Sequence, residues 1–185
     1  MAALPHLITV DEFRELPKGG NFAYELRHGE VVAMTRPKAR HWKLQDRLNR
    51  ILEPKLKSFG RITIELPYRP LAEFEMRAAD VAVVSHARWD AIDPDSDLFG
   101  APELVIEVKS PSNTRKQLQE LVALCLANGT VQCWAVDTTK KAVTVIERDG
   151  ATATYGSGTE YHWWRSVRTA WRWMRSSRPE DPGPL

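Results

Sequence analysis

The spacing of apolar residues changes several times along the chain and predicts alternating helices and strands. Between Arg40 and Phe59 it follows the 3.6-residue period of a helix with one buried face, formed by Leu44, Leu48, Ile51, Leu52, Leu56 and Phe59. We expect Gly60 to end this helix and Pro54 to kink or restart it. A shorter helix is expected to begin at Thr9, which can form a capping box with Glu12.

The β-prone runs predict a sheet built around one fully buried strand. Residues 21–34 (NFAYELRHGEVVAM) are typical of a hairpin with its turn at His28-Gly29. Further strands are expected at Arg61–Tyr68, Ala78–Ser85, Glu103–Lys109, Val131–Val136 and Ala142–Glu147, with a short edge strand at Ala151–Tyr155. In Glu103–Lys109 (ELVIEVK) apolar residues occupy both faces, which indicates a central strand covered on both sides.

After this central strand, Ser112 or Asn113 can cap a helix that runs to about Asn128 and is closed by Gly129. Residues 90–100 form an acidic loop. This order of elements predicts an α/β fold, a mixed β-sheet flanked by helices. The 185 residues are enough for one domain with a sizeable core, which we assign to residues 1–160.

Composition excludes several classes of protein. Hydrophobic residues make up 43% of the chain and charged residues 27%, as in ordinary globular proteins. No apolar run approaches the roughly 18 residues of a membrane span, and the first residues lack the features of a signal peptide. Cys125 and Cys133 have neither metal-ligand spacing nor a disulfide framework around them. We therefore expect a cytoplasmic protein that does not contact a membrane.

The charges are unevenly distributed. From Arg36 to Arg61 there are nine Lys or Arg and two acids, whereas from Glu73 to Glu107 there are nine acids and two Arg. A basic segment beside an acidic one suits a phosphate-binding surface next to a cation-binding pocket. Two solvated faces of opposite sign would give the same pattern.

The candidate chemistry lies in the acidic half of the chain. Because side chains alternate along a strand, Glu107 and Lys109 are expected on one face, and Asp80 opens a neighbouring β-prone run. Paired carboxylates offer the oxygen ligands that Mg²⁺ prefers, and Mn²⁺ can take its place. We expect Lys109 to position a water molecule and to offset charge on a phosphate. An ion pair at the end of the strand, between Lys109 and Glu107 or Asp80, is the structural alternative.

The sequence around these residues carries a family resemblance. The run from Ala79-Asp80 to APELVIEVKSPSNTR resembles the D-(x)n-E-x-K core of the PD-(D/E)XK nuclease superfamily. Within it, the chain is similar to the Uma-type putative restriction endonuclease family over roughly residues 7–160. The matching stretches, in the family's order, are ITVDEFRELP, FAYELRHGEVVAM, ARHWKLQDRLNRIL, ADVAVVS, GAPELVIEVKSPSNTR, LANGTVQCWAVD and AVTVIERDG.

The resemblance implies a restriction-endonuclease-like fold and a set of site residues. Asp80 and Glu107 correspond to the metal-binding acids, joined by the backbone carbonyl of Val108, and Lys109 corresponds to the motif lysine. Glu25 matches a further acid of the family, placed to bind the metal or a water molecule.

For Glu25, a surface ion pair with Arg27 or another base is the alternative. Arg40 and His41, with Lys43, match a basic group at the start of the family's first long helix, where a helix N-terminus can meet phosphate. An ordinary polar helix start explains these residues equally well.

Together these features predict a Mg²⁺-dependent endodeoxyribonuclease that acts as a homodimer or higher homo-oligomer, since cutting both strands of DNA needs two sites. The family often has Lys and Tyr where Leu121 and Cys125 stand here, which affects the handling of substrate. A nuclease-fold protein that binds nucleic acid without turnover is therefore the alternative function.

The C-terminal segment, residues 161–185, departs from the family pattern. Between Tyr161 and Arg178 it contains five Arg, four Trp and no acid. Three interpretations remain open: packing of the Trp side chains on the domain or a second subunit, binding of nucleic acid, or a poorly ordered tail. If its Trp side chains pack on the domain or on a second subunit, the segment would serve in assembly of the protein.

Overall fold

The computed structural model describes residues 6–157 except residues 18, 21, 36 and 111–113. The predicted C-terminal extension, residues 161–185, and the predicted caps Ser112 and Asn113 lie outside the described residues. The described chain forms four helices: α1 (Val10–Glu15), α2 (Ala39–Leu56), α3 (His86–Asp90) and α4 (Arg115–Ala127). None of them combines the length and the apolar character needed to cross a membrane.

Nine strands form two sheets in this part of the chain. They are β1 (Phe22–Arg27), β2 (Glu30–Thr35), β3 (Gly60–Arg69), β4 (Arg77–Ser85), β5 (Leu98–Phe99), β6 (Leu104–Val108), β7 (Gln132–Asp137), β8 (Ala142–Glu147) and β9 (Thr152–Gly156). Strands β1 and β2 pair as a hairpin, and the other seven form a mixed sheet in the order β5-β3-β4-β6-β7-β8-β9. The predicted α/β fold class is confirmed.

The central sheet is covered on both faces, as the apolar pattern of ELVIEVK predicts. Leu52 and Leu56 of α2 pack on one face, against Val81, Val83, Leu104, Ile106, Val108, Trp134, Val136 and Val145. On the other face Cys125 of α4 packs in a second cluster with Tyr68, Ala79, Ala82, Val84, Val105 and Cys133. Strand β6 contributes to both clusters and lies at the middle of the sheet.

Local sequence signals explain several element ends. Thr9 caps α1 in a capping box with Glu12, as predicted. His28 and Gly29 both have positive φ (51° and 76°), the geometry of a two-residue hairpin turn. The cap of α4 is Thr114, which forms a capping box with Gln117, so the prediction of Ser112 or Asn113 was wrong by one or two positions.

The predicted role of Gly60 was also wrong. Helix α2 runs through Pro54 without a restart and ends at Leu56, and Gly60 is the first residue of β3. A Cβ atom at Gly60 would lie 2.0 Å from the carbonyl oxygen of Val84. Glycine is needed here because the backbones of β3 and β4 approach too closely for a side chain.

Candidate metal-binding and catalytic site

The two acids predicted to bind metal lie side by side on neighbouring strands. Strands β4 and β6 are antiparallel and pair from Val81–Ile106 to Val83–Leu104, so Asp80 and Glu107 are the residues just beyond the paired segment at one end. Residues that are 27 positions apart in sequence therefore meet near the end of β6.

The Asp80 carboxylate is held by three hydrogen bonds. Its Oδ1 lies 2.8 Å from His41 Nε2 and accepts from Gln45 Nε2 at 2.9 Å, both from α2. Its Oδ2 accepts from the backbone N–H of Val108 at 2.7 Å. The hydrogen bond to Asp80 raises the pKa of His41. Asp80 is thus oriented from the helix and from β6 together.

A local irregularity in β4 turns Asp80 toward α2. Ala79 belongs to the apolar cluster on the α4 face and Val81 to the cluster on the α2 face, although strict alternation would place both on one face. The register puts Glu65 of β3 opposite Asp80, and Glu65 has a positive φ of 53°. Positive φ in a strand residue other than glycine is uncommon, and such residues cluster at functional sites.

The carboxylate of Glu107 has a charge that neighbouring groups offset poorly. Its Oε1 is buried and accepts no hydrogen bond from any described residue. Burial raises the pKa of Glu107 well above its usual range, and the negative charges of Asp80 and Glu25 raise it further. An ionised Glu107 therefore needs a cation that the contacts of the described side chains do not supply.

Lys109 follows the last residue of β6 and pairs with an acid that the sequence did not suggest. Its Nζ lies 3.6 Å from Oδ2 of Asp137, at the end of β7. The other oxygen of Asp137 accepts the backbone N–H groups of Thr139 and Lys140 at 3.1 and 2.9 Å. Asp137 is consequently fixed by its turn and holds the lysine. The pairing of Lys109 with Glu107 or Asp80, which the sequence left open as the alternative, is not what the structure shows.

Glu25 lies near these residues but has basic partners of its own. Its Oε2 is 2.7 Å from Arg27 and 3.6 Å from Arg77, and its Oε1 accepts the N–H of Ala78. Arg77 in turn bonds the fully buried Glu75 at 2.7 Å. The ion pair with Arg27 that the sequence left open is present. The role of Glu25 as a ligand stays a prediction.

The predicted nucleic-acid-binding residues separate into two groups. Arg40 and Lys43 are exposed on α2. His41 faces inward and contacts Asp80, so it belongs to the acidic site and not to the exposed surface. Its position one turn before Gln45 explains this, because residues four apart share a helix face.

The donor set fits a hard divalent cation such as Mg²⁺. No group of three or more His, Cys, Asp or Glu side chains in the described part of the chain is gathered closely enough to hold a metal ion. Mg²⁺ does not need such a cage, because it usually keeps several waters and binds through one or two carboxylates plus phosphate. Asp80 and Glu107 supply two carboxylates, and Oε1 of Glu107, which has no partner within the described part of the chain, is the kind of atom a cation would satisfy.

Sequence reasoning missed three residues of the site. Gln45 is fully buried and bonds Asp80, and a polar residue on the apolar face of a predicted helix is a signal that could have revealed it. Asp137 and Glu65 gave no comparable signal, since their relation to the site depends on which strands are neighbours.

Comparison with known proteins agrees with this fold. The model of the Uma2 family, described as putative restriction endonuclease, matches residues 10–162. A solved structure of a putative nuclease of DUF820 from Anabaena variabilis is similar, with a TM-score of 0.69 and 20% sequence identity, covering 90% of this chain and 99% of that chain. A search of curated proteins gave no match.

Proposed function

Because the chain belongs to the Uma2 family of putative restriction endonucleases, we propose that it is a Mg²⁺-dependent nuclease that hydrolyses phosphodiester bonds of DNA. The observation that carries this proposal is the buried Oε1 of Glu107, which has no hydrogen-bond partner among the described residues, near the oriented carboxylate of Asp80. A buried carboxylate oxygen without a donor among the described residues is costly to fold and becomes useful when it binds a cation.

The residues take separate parts in the reaction. Asp80 and Glu107 would hold the ion, with the Val108 carbonyl as a further oxygen ligand. A bound Mg²⁺ supplies charge stabilisation to the phosphoryl group and lowers the pKa of a coordinated water. His41 and Gln45 keep the Asp80 carboxylate in one orientation, so little reorganisation is needed when substrate arrives.

Lys109 serves as a positioning and charge-offsetting group. Its ammonium, held by Asp137, can donate to a water molecule or to a phosphate oxygen while keeping its charge. Glu25 would bind a second water or the ion. Arg40 and Lys43 contact DNA phosphates from the exposed side of α2.

The direct test is cleavage of plasmid DNA with Mg²⁺ or Mn²⁺ by purified protein, beside Asp80→Ala and Lys109→Ala. Matched controls are Glu120→Ala and Lys116→Ala, because these residues form an exposed pair on α4, 3.7 Å apart, of little energetic weight. We expect activity in the wild type and the controls and loss in both site variants. Cleavage that persists in both site variants would show that a contaminant or another site is responsible.

Cutting both strands of a duplex calls for two sites, so a homodimer is part of the proposal. Light scattering of the full chain measures the mass directly, and a monomer that still makes double-strand breaks would remove this part.

A second function is favoured by one contact. Lys109 is paired with Asp137 and not with the acids at the predicted metal site. A protein that keeps the nuclease fold and binds DNA without turnover would show the same contact. Calorimetry with Mn²⁺ separates the two functions, because only the nuclease requires ion binding that is lost in Asp80→Ala and Glu107→Ala.

A further inference from the structure

The first turns of α2 are fixed directly over the acidic site. His41 and Gln45 both bond Oδ1 of Asp80, at 2.8 and 2.9 Å, so this part of the helix cannot shift without breaking those bonds. Successive residues of a helix are rotated by about 100°. Arg40 and Trp42 therefore lie on the two flanks of His41, the residue that contacts Asp80.

Trp42 is unusually exposed for its size and type. It leaves 54% of its surface in water, whereas Trp134 in the core is 4% exposed. Its indole ring is a large apolar surface with one polar N–H, the combination that proteins use to contact partners. An exposed ring of this size beside a proposed reaction centre has no folding role that the described contacts reveal.

The surroundings of Trp42 favour a polyanion. From Ala39 to Arg50, α2 carries four cations and a single acid, Asp46. That acid lies 3.1 Å from Arg50, so its charge is already offset. The remaining cations, Arg40, Lys43 and Arg47, are exposed on this helix. A negatively charged ligand with a flat apolar group matches this surface better than an apolar protein face does.

We propose that Trp42 stacks on an unpaired base of single-stranded DNA next to the phosphate that is cleaved, an inference that rests on the proposed nuclease function. In a duplex the faces of the bases are covered by their neighbours, and only an unpaired base offers its face to a surface side chain. The preferred substrate is therefore DNA with a single-stranded segment, either a single strand or an overhang, bound more tightly than an intact duplex, while Arg40 and Lys43 contact the flanking phosphates.

Binding without catalysis tests this inference. Fluorescence anisotropy is measured in EDTA, with a labelled oligothymidylate of about 15 nucleotides and with a blunt duplex of the same length. Trp42→Ala should weaken binding of the single strand about 5- to 150-fold, the loss of one stacked base, and binding of the duplex less than about twofold. Trp42→Phe should retain most of the affinity, because it keeps an aromatic face.

Two controls separate stacking from charge and from general effects of an exposed ring. Phe99 on β5 is 56% exposed, and Phe99→Ala should change neither affinity. Lys43→Ala should weaken binding of both ligands. It should also reduce the magnitude of the slope of log affinity against log salt concentration, by about 0.7 for the single strand and about 0.9 for the duplex.

The inference would be overturned if Trp42→Ala lost affinity equally for both ligands, or lost none. It would also be overturned if the main change in Trp42→Ala were its oligomeric mass in light scattering. Thermal melting identifies a variant that fails to fold. If Trp42→Ala fails to fold, the affinities of Trp42→Phe for the two ligands test the inference in its place. Trp42-dependent binding of single strands in a protein that never cleaves would leave the inference standing and reject the nuclease function. If the protein cleaves DNA but Trp42→Ala weakens the single strand no more than the duplex, the nuclease function stands and the inference is rejected.

Discussion

Replacing Glu107 by glutamine removes a buried negative charge and leaves the shape of the side chain almost unchanged. The carboxylate has one oxygen that is buried without a hydrogen-bond donor among the described residues. It also lies near the negative charges of Asp80 and Glu25, which add to burial in raising its pKa. In the metal-free protein, Glu107→Gln should therefore increase the free energy of unfolding and at the same time abolish cleavage.

The size of the effect follows from the extra cost of burying a charged group over a neutral one of the same shape, about 1–3 kcal/mol. For a chain of this length each kcal/mol shifts Tm by about 2–4 °C, so we expect Tm to rise by about 2–12 °C. The effect depends on pH. The pKa of Glu107 is raised in the folded state, so the cost is absent below the unfolded pKa of about 4.3 and grows as pH rises through the folded pKa. The two proteins should converge in stability near pH 4.

The assay is thermal or urea unfolding in EDTA at several pH values, repeated with Mg²⁺. An ion that binds at about 100 times its Kd adds about 2.7 kcal/mol to the wild type and nothing to Glu107→Gln. Glu103→Gln is the matched control. Glu103 pairs with Arg88 at 3.1 Å, so its neutralisation should destabilise the fold by about 1–3 kcal/mol. Lower stability of metal-free Glu107→Gln at neutral pH would refute the idea of an uncompensated charge.

Two further changes test the positioning of the lysine and the packing of the sheet. Asp137→Asn keeps an oxygen for the turn but removes the charge that holds Lys109, so kcat should fall about 10- to 100-fold. Mn²⁺ affinity by calorimetry should stay unchanged, and an unaltered kcat would contradict the positioning role. Gly60→Ala would place a Cβ 2.0 Å from the Val84 carbonyl and should cost about 1–3 kcal/mol or more in urea unfolding. A neutral Gly60→Ala would mean that β3 and β4 can separate there at little cost.

The sequence was informative for several features whose cause is local, although the cap of α4 was misplaced by one or two positions. The capping box at Thr9, the turn at His28-Gly29 and the two-sided apolar run of β6 each depend on residues a few positions apart, and all were predicted correctly. The role of Gly60 was mispredicted because glycine ends helices and also permits close approach of strands. Only the position of Val84 distinguishes these two uses, and the local sequence does not contain it.

The site was predicted in part for the same reason. Asp80 and Glu107 could be placed on strands, but their proximity follows from the antiparallel pairing of β4 with β6. The hydrogen bond between His41 and Asp80 spans 39 positions, and the pair of Lys109 with Asp137 depends on β7 lying parallel to β6. Contacts of this kind arise from the order of strands in the sheet, which single-sequence patterns do not specify.

The attachment of α2 to Asp80 has a consequence for how such a protein can diversify. His41 and Gln45 hold the helix from its inner face, while Arg40, Lys43 and Arg47 point into solvent from other faces. Substitutions at exposed helix positions usually change stability by no more than about 0.5 kcal/mol. Residues on the outer face can therefore be substituted, in evolution or by design, to bind other ligands, while His41 and Gln45 on the inner face keep Asp80 in place. The residues of α2 that are proposed to contact DNA are thus separate from those that orient the carboxylate of Asp80.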